Sequence, residues 1–250
     1  MNFAEEIEKL RQDGYSEANA QARLCQDIIL QGIANSSLSN NVTIKGGVVM
    51  RSLSGSARRA TQDIDIDFIR YSLADESIDR FVSKIDTLPN IGIIRIGEIE
   101  ELKHQDYKGK RIHVTVTDEF GNRISSKVDI GVHTDLELKQ TEYCFDICFA
   151  EDGASLLMNT PAQMITEKLK SLLRFGTQST RYKDLFDIYY LSDKADAAVL
   201  NACIEKYIYG DNTLTVNNAD EILKRLNTTF ANKTFISRIN RSEKTGLALM

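Results

Sequence analysis

Apolar residues recur at helical spacing at the start of the chain and again in its last third. The first of these regions predicts helices over residues 3–11 and 16–33, with Ser16 as the N-cap of the second. Thr160-Pro161-Ala162-Gln163 is a typical helix start, and the helix that it opens should end at Gly176. Three more helices are predicted to begin near Thr180, Ala195 and Ala219.

Between these helical regions the pattern changes to short alternating or apolar stretches that are typical of strands. Strands are predicted over residues 42–45, 63–69, 91–102, 111–120 and 124–132, with Gly109 and Gly121-Asn122 in turns. Helices are predicted over 48–53 and 75–88. The expected fold class is therefore α+β, with a mixed sheet and flanking helices over residues 1–155 and a helical bundle over 156–250.

Composition limits the class of protein without identifying it. With 42% hydrophobic and 27% charged residues, the chain is an ordinary globular protein rather than a disordered one. The net charge of -5 argues against broad attraction to nucleic acid. Because no leader pattern and no bilayer-length apolar run is visible, we expect a soluble cytoplasmic protein without membrane association, whose four cysteines are reduced and buried.

Three aspartates alternate with apolar residues in one predicted strand. Since side chains alternate across a strand, Asp63, Asp65 and Asp67 should share one face. Aspartate is disfavoured in strands and three like charges repel, so the pattern predicts a site for Mg²⁺ or Mn²⁺. Asp129, on another predicted strand, would complete a two-metal site. A solvated strand face remains the alternative.

A glycine pair and nearby cations indicate a phosphate site. Lys45-Gly46-Gly47 joins a short apolar strand to a short helix, where backbone N–H groups can approach phosphate closely. Arg51 and Arg59 would add the positive charge that a triphosphate needs. A simple tight bend with surface arginines is the alternative.

Charged residues also lie beside apolar stripes in the predicted helical half. Lys168 falls on the shoulder of an apolar stripe, and Asp184 and Asp187 share a face with apolar residues. Interior lysines and aspartates are costly unless they are paired or bind a ligand. The pattern therefore predicts a functional cluster or a structural ion pair.

The segments KGGVVMRSL, RRATQDIDIDF, ITEKLKSLLRF and RYKDLFDIY occur in the order seen in one known family. Over about residues 42–191 the chain resembles AbiEii-type toxins, which belong to the DNA polymerase β-like nucleotidyltransferase superfamily. The resemblance implies that Gly46 and Gly47 hold nucleotide phosphates and that Asp63 and Asp65 bind the catalytic metal.

The same resemblance assigns the helical residues. It implies that Lys168 and Asp184 come from the helical half to complete the catalytic site, with Lys168 also binding nucleotide. Asp129 is a further catalytic candidate because of its place on a predicted strand. Asp184 is preferred to Asp187 because it follows Arg181 in the R-x-x-D pattern of the family.

The implied activity is Mg²⁺-dependent transfer of a nucleoside monophosphate from a nucleoside triphosphate (NTP) to RNA, especially tRNA, or to a protein. Such a protein would be the toxin of a toxin–antitoxin or abortive-infection system with a cognate antitoxin. Two rival functions stay open at this point: a non-catalytic nucleotide-binding protein that resembles an antitoxin, and a nucleotidyltransferase acting on small molecules.

Overall fold

The computed structural model describes residues 1–55, 57–102, 109–135 and 137–242. The chain divides into two compact units, Met1–Asn159 and Thr160–Met250. The first unit extends to Asn159, beyond the residue 155 expected from the sequence, because the strand Ala154–Met158 pairs in its sheet.

The first unit is built on a seven-stranded mixed sheet. Its strands are β1 (Val42–Lys45), β2 (Asp63–Phe68), β3 (Gly92–Leu102), β4 (Gly109–Thr117), β5 (Arg123–Val132), β6 (Thr141–Phe145) and β7 (Ala154–Met158). They lie in the order β3-β4-β5-β2-β1-β7-β6. β2 occupies the centre, parallel to β5 and antiparallel to β1, while β1 is parallel to β7.

Four helices belong to this unit: α1 (Phe3–Gln12), α2 (Glu17–Asn35), α3 (Gly46–Ser54) and α4 (Asp75–Ile85). The Ser16 side chain caps α2, as predicted, by accepting a hydrogen bond from the Asn19 N–H. α2 packs against the sheet and α4, with Leu24 and Ile28 fully buried. The sheet contributes Ile64 and Ile66 to the core, and both are fully buried. These contacts anchor β2 on its apolar face.

The N-terminus of the chain is fastened to the turn between β4 and β5. Asp118 accepts hydrogen bonds from the backbone N–H groups of Phe3, Phe120 and Asn122 and from the Asn122 side chain. Burial alone would raise the pKa of Asp118, but these hydrogen bonds outweigh it and hold the pKa below its ordinary value. Asp118 therefore links α1 to the sheet.

Three sequence expectations for this unit are corrected. β6 and β7 were not predicted, because TEYCF and ASLLM are short and their apolar residues do not alternate cleanly. Gly109 is the first residue of β4 rather than part of a turn. None of the four cysteines forms a disulfide; Cys25 and, in the second unit, Cys203 are buried as predicted, whereas Cys148 is partly exposed and Cys144 on β6 is exposed.

The second unit is helical in the residues described. Its helices are α5 (Pro161–Phe175), α6 (Lys183–Ser192), α7 (Ala197–Ile204), α8 (Ala219–Ala231) and α9 (Lys233–Arg241), with a π-helical turn at Glu205–Tyr209. Thr160 and Gln163 form the predicted capping box of α5, and Gly176 is its C-cap. α9 was not predicted. No helix in the described part of the chain is long and apolar enough to cross a membrane.

Candidate functional site

The central strand β2 presents aspartates on one face and apolar residues on the other. Asp63 and Asp65 are partly exposed, whereas Asp67 is 6% exposed. Ile64 and Ile66 are fully buried, so the predicted alternation is realised in the structure. The acidic face therefore belongs to the middle of the sheet rather than to an edge.

Four charged residues form a row across four neighbouring strands. Lys45 on β1 is the register partner of Asp65, and Asp65 is the partner of Asp129 on β5. Asp129 is in turn the partner of Arg111 on β4. Because register partners project from the same face of a sheet, two adjacent carboxylates are flanked by a cation on each side.

The first cation of this row contacts Asp67 instead of open solvent. Lys45 Nζ lies 2.7 Å from Asp67 Oδ1, and both side chains are less than 10% exposed. The sequence analysis assigned Lys45 to nucleotide phosphate. The geometry instead favours a role in neutralising Asp67.

The second cation, Arg111, forms a bidentate ion pair with the carboxylate of Asp129. Arg111 Nε is 2.6 Å from Asp129 Oδ1 and Arg111 Nη2 is 2.8 Å from Asp129 Oδ2. These hydrogen bonds, more than the charges of Asp129 and Asp63, raise the pKa of Arg111 against the opposing effect of burial. Sequence reasoning missed Arg111. Its signal is the antiparallel register of the β4–β5 hairpin, which places residue 111 opposite residue 129.

The glycine pair allows the start of α3 to approach the acidic strand closely. Gly46 has a φ of +67°, and a Cβ there would lie 2.1 Å from Asp65 Oδ2. A Cβ on Gly47 would lie 2.6 Å from Thr61 Oγ1. Lys45, the N-cap residue of α3, makes no side-chain cap. Both glycines are therefore required by their surroundings, which bring a helix N-terminus beside Asp65.

The two predicted phosphate-binding arginines are buried. Arg51 is 2% exposed, and its Nη2 lies 3.1 Å from Asp27 Oδ1. Asp27 Oδ2 also accepts a hydrogen bond from Arg23 Nε at 2.6 Å. Burial lowers the pKa of the Arg51 guanidinium. This placement favours an anchor between α3 and α2 over phosphate contact, and Arg59 is likewise buried in the short 3₁₀ turn at Ala57–Arg59.

The second unit brings its three candidate residues together. Lys168 Nζ on α5 lies 3.1 Å from Asp184 Oδ1 and 2.8 Å from Asp187 Oδ2, both on α6. The Asp187 side chain is fully buried, and that of Asp184 is 16% exposed. Lys168 is 12% exposed. The helix pattern thus identified a real cluster that contains both carboxylates.

The chemistry of the acidic face suits a hard divalent cation. Carboxylate oxygens are preferred ligands of Mg²⁺, and Asp63 and Asp65 are two partly exposed carboxylates on one strand, with Gly46 at the start of α3 packed against Asp65. Within the described ranges, no three carboxylate, imidazole or thiol side chains are grouped for metal binding. The residues present therefore fit a site with two protein carboxylates, of the kind in which water or substrate supplies the remaining ligands.

The sheet order, the glycine turn and the acidic strand define a nucleotidyltransferase type of α+β fold. A family model described as "Nucleotidyl transferase AbiEii toxin, Type IV TA system" matches residues 28–243. Because the match covers most of the chain, the protein belongs to the AbiEii family of nucleotidyltransferase toxins. Family membership implies a nucleotide substrate and an antitoxin partner. No curated protein matches the chain.

Proposed function

We propose that the protein transfers a nucleoside monophosphate from an NTP to a hydroxyl of RNA, most simply tRNA, or of a protein, and that this modification is the toxic event. The acceptor oxygen would form a bond to the α-phosphorus as the bond to the β-phosphate oxygen breaks and pyrophosphate leaves. The acceptor proton would pass to a carboxylate. The observation that carries the proposal is the close approach of Gly46, at the start of α3, to Asp65 on the acidic strand.

In this reaction Asp63 and Asp65 would hold Mg²⁺ or Mn²⁺, which neutralises phosphate charge when bound. Gly46 and Gly47 would let the N–H groups at the start of α3 contact a phosphate oxygen, because neither residue has a side chain and the backbone can pack directly against Asp65 and Thr61. The partly exposed position of Asp63 and Asp65, compared with the buried Asp67, supports this assignment.

In the helical unit we propose different roles for the two aspartates that contact Lys168. Lys168 would bind the triphosphate, and Asp184, which keeps some exposure, would orient or deprotonate the acceptor hydroxyl. Asp187 is fully buried and would hold the Lys168 ammonium in place. Asp184→Asn should then abolish transfer in a folded protein, whereas Asp187→Asn should mainly lower the free energy of unfolding.

The direct test uses each NTP labelled at the α-phosphate, Mg²⁺ and three separate acceptors: total RNA, total protein and small polyols. Wild type should label RNA or protein, and Asp65→Asn should reduce labelling by about 100-fold or more. Asp146→Asn is the matched control, because its side chain is 88% exposed.

Three outcomes would contradict this proposal. Equal labelling by wild type and Asp65→Asn would exclude the acidic strand as the catalytic site. Nucleotide binding without any transfer would favour a non-catalytic nucleotide-binding protein. Label confined to the polyols would favour a small-molecule nucleotidyltransferase.

A further inference from the structure

Arg111 pairs with Asp129, the carboxylate that the sequence analysis expected to be a further metal ligand. The sequence analysis expected Asp129, on another predicted strand, to complete a two-metal site, and in the structure Asp129 is the register partner of Asp65. In the structure the planar fork of Arg111 contacts each Asp129 oxygen, at 2.6 and 2.8 Å. A bidentate pair of this kind is among the stronger ion pairs in proteins.

The surroundings of this pair strengthen it. Asp129 is 10% exposed and Arg111 is 28% exposed, so screening by water is reduced compared with a surface pair. The strand register also places Arg111 on the same face of the sheet as Asp65, with Asp129 between them, so the guanidinium charge lies two strands from a candidate metal ligand. A cation entering beside Asp63 and Asp65 would therefore meet repulsion from Arg111.

We propose that Arg111 withholds Asp129 from the cation site, so that the nucleotide-free protein binds a divalent cation through Asp63 and Asp65 alone. This inference rests on the proposed function, because it assumes that the acidic strand binds metal. Arg111 is a positioning residue in this scheme. It keeps affinity for the bare ion low, and a bound triphosphate offsets its charge by bringing its own oxygen ligands.

Mn²⁺ binding to the full chain tests the inference without measuring activity. Titrations without nucleotide would compare wild type, Arg111→Met, Asp129→Asn and the double variant Arg111→Met/Asp129→Asn. Arg111→Met removes a repelling charge and releases a carboxylate, so it should bind Mn²⁺ about tenfold more tightly than wild type. The double variant should lose most of that gain.

Asp129→Asn in the wild-type background provides the decisive comparison with Asp65→Asn. If Arg111 withholds Asp129, Asp129→Asn should change Mn²⁺ affinity by less than about twofold, whereas Asp65→Asn should remove binding. This comparison holds even if Arg111→Met fails to fold. Arg111→Lys, which keeps the charge and loses the fork, should lie between wild type and Arg111→Met.

Separate results would overturn the inference and the proposed function. An Asp129→Asn loss as large as that of Asp65→Asn, or a folded Arg111→Met that binds Mn²⁺ no more tightly than wild type, would overturn the inference alone. Mn²⁺ affinity unchanged in Asp65→Asn would overturn the metal assignment and, with it, the inference.

Discussion

Replacing Gly46 by alanine tests whether glycine is needed at this position to leave room for the Asp65 carboxylate. The added Cβ would lie 2.1 Å from Asp65 Oδ2, 2.8 Å from its Cγ and 3.1 Å from its Cβ. Cβ atoms essentially never approach closer than 3.0 Å, so the oxygen must move by about 1 Å. Rotation of the Asp65 side chain would relieve the closest contact only by turning the carboxylate away from the turn.

Gly55, the C-cap residue of α3, supplies a matched control. Its φ of +62° is close to the +67° of Gly46, and a Cβ there meets no described atom within 4 Å. Alanine in this conformation costs about 1–2 kcal/mol at either position. The two variants should therefore differ only through the Asp65 contact, which adds about 1–3 kcal/mol if the backbone has to shift.

Urea unfolding measures the difference in stability between Gly46→Ala and Gly55→Ala. Mn²⁺ titration and a nucleotide-transfer assay measure the effect on the site. Gly46→Ala should lose nucleotide transfer by about 100-fold, because a displacement of about 1 Å is enough to disable a catalytic group. Gly55→Ala should keep transfer and Mn²⁺ affinity near wild-type values. Equal affinity and equal activity in both variants would refute the argument that Gly46 positions Asp65.

Two further predictions concern stability. Asp27→Asn should lower the free energy of unfolding by about 3–5 kcal/mol, because it leaves the buried guanidinium groups of Arg23 and Arg51 without their shared counter-charge. Asp146→Asn removes an exposed partner of the same Arg23 and should cost less than about 1 kcal/mol in the same urea experiment. Asp118→Asn should cost roughly 2 kcal/mol at pH 7. Since the folded-state pKa of Asp118 is depressed, its stabilisation is complete above the unfolded pKa of about 4 and is lost as the pH falls towards the folded value. The difference in unfolding free energy between wild type and Asp118→Asn should therefore be smaller at pH 3 than at pH 7 in urea unfolding, and a constant difference would argue against this linkage.

Local chemistry made much of the fold predictable. The capping box at Thr160 and Gln163 fixed the start of α5, and the alternation of Asp and Ile fixed the two faces of β2. β6 and β7 were missed because their pairing with the sheet depends on partners far along the chain, which a local period cannot reveal.

The site was predictable where spacing along one element decides geometry. Lys168, Asp184 and Asp187 were identified from helix faces as a functional cluster or a structural ion pair, and the structure brings the three into contact. Their roles in the reaction stay a prediction. Arg51 illustrates the opposite case, since its distance from Gly47 suggested phosphate while its position on the helix directs it to Asp27. Arg111 was missed because its proximity to Asp129 arises from hairpin register and not from sequence distance.

Because β2 lies in the centre of the sheet, the same strand register that buries its apolar residues also places its aspartates on the opposite face. A shift of one residue in its pairing with β1 and β5 would turn Asp63, Asp65 and Asp67 into the interior and expose Ile64 and Ile66. Three carboxylates in an apolar interior would be prohibitively unfavourable. Molecules in which β2 pairs with its neighbours in a shifted register should therefore be too unstable to persist. Every molecule that completes this sheet should then have the β2 aspartates on the face opposite the apolar core.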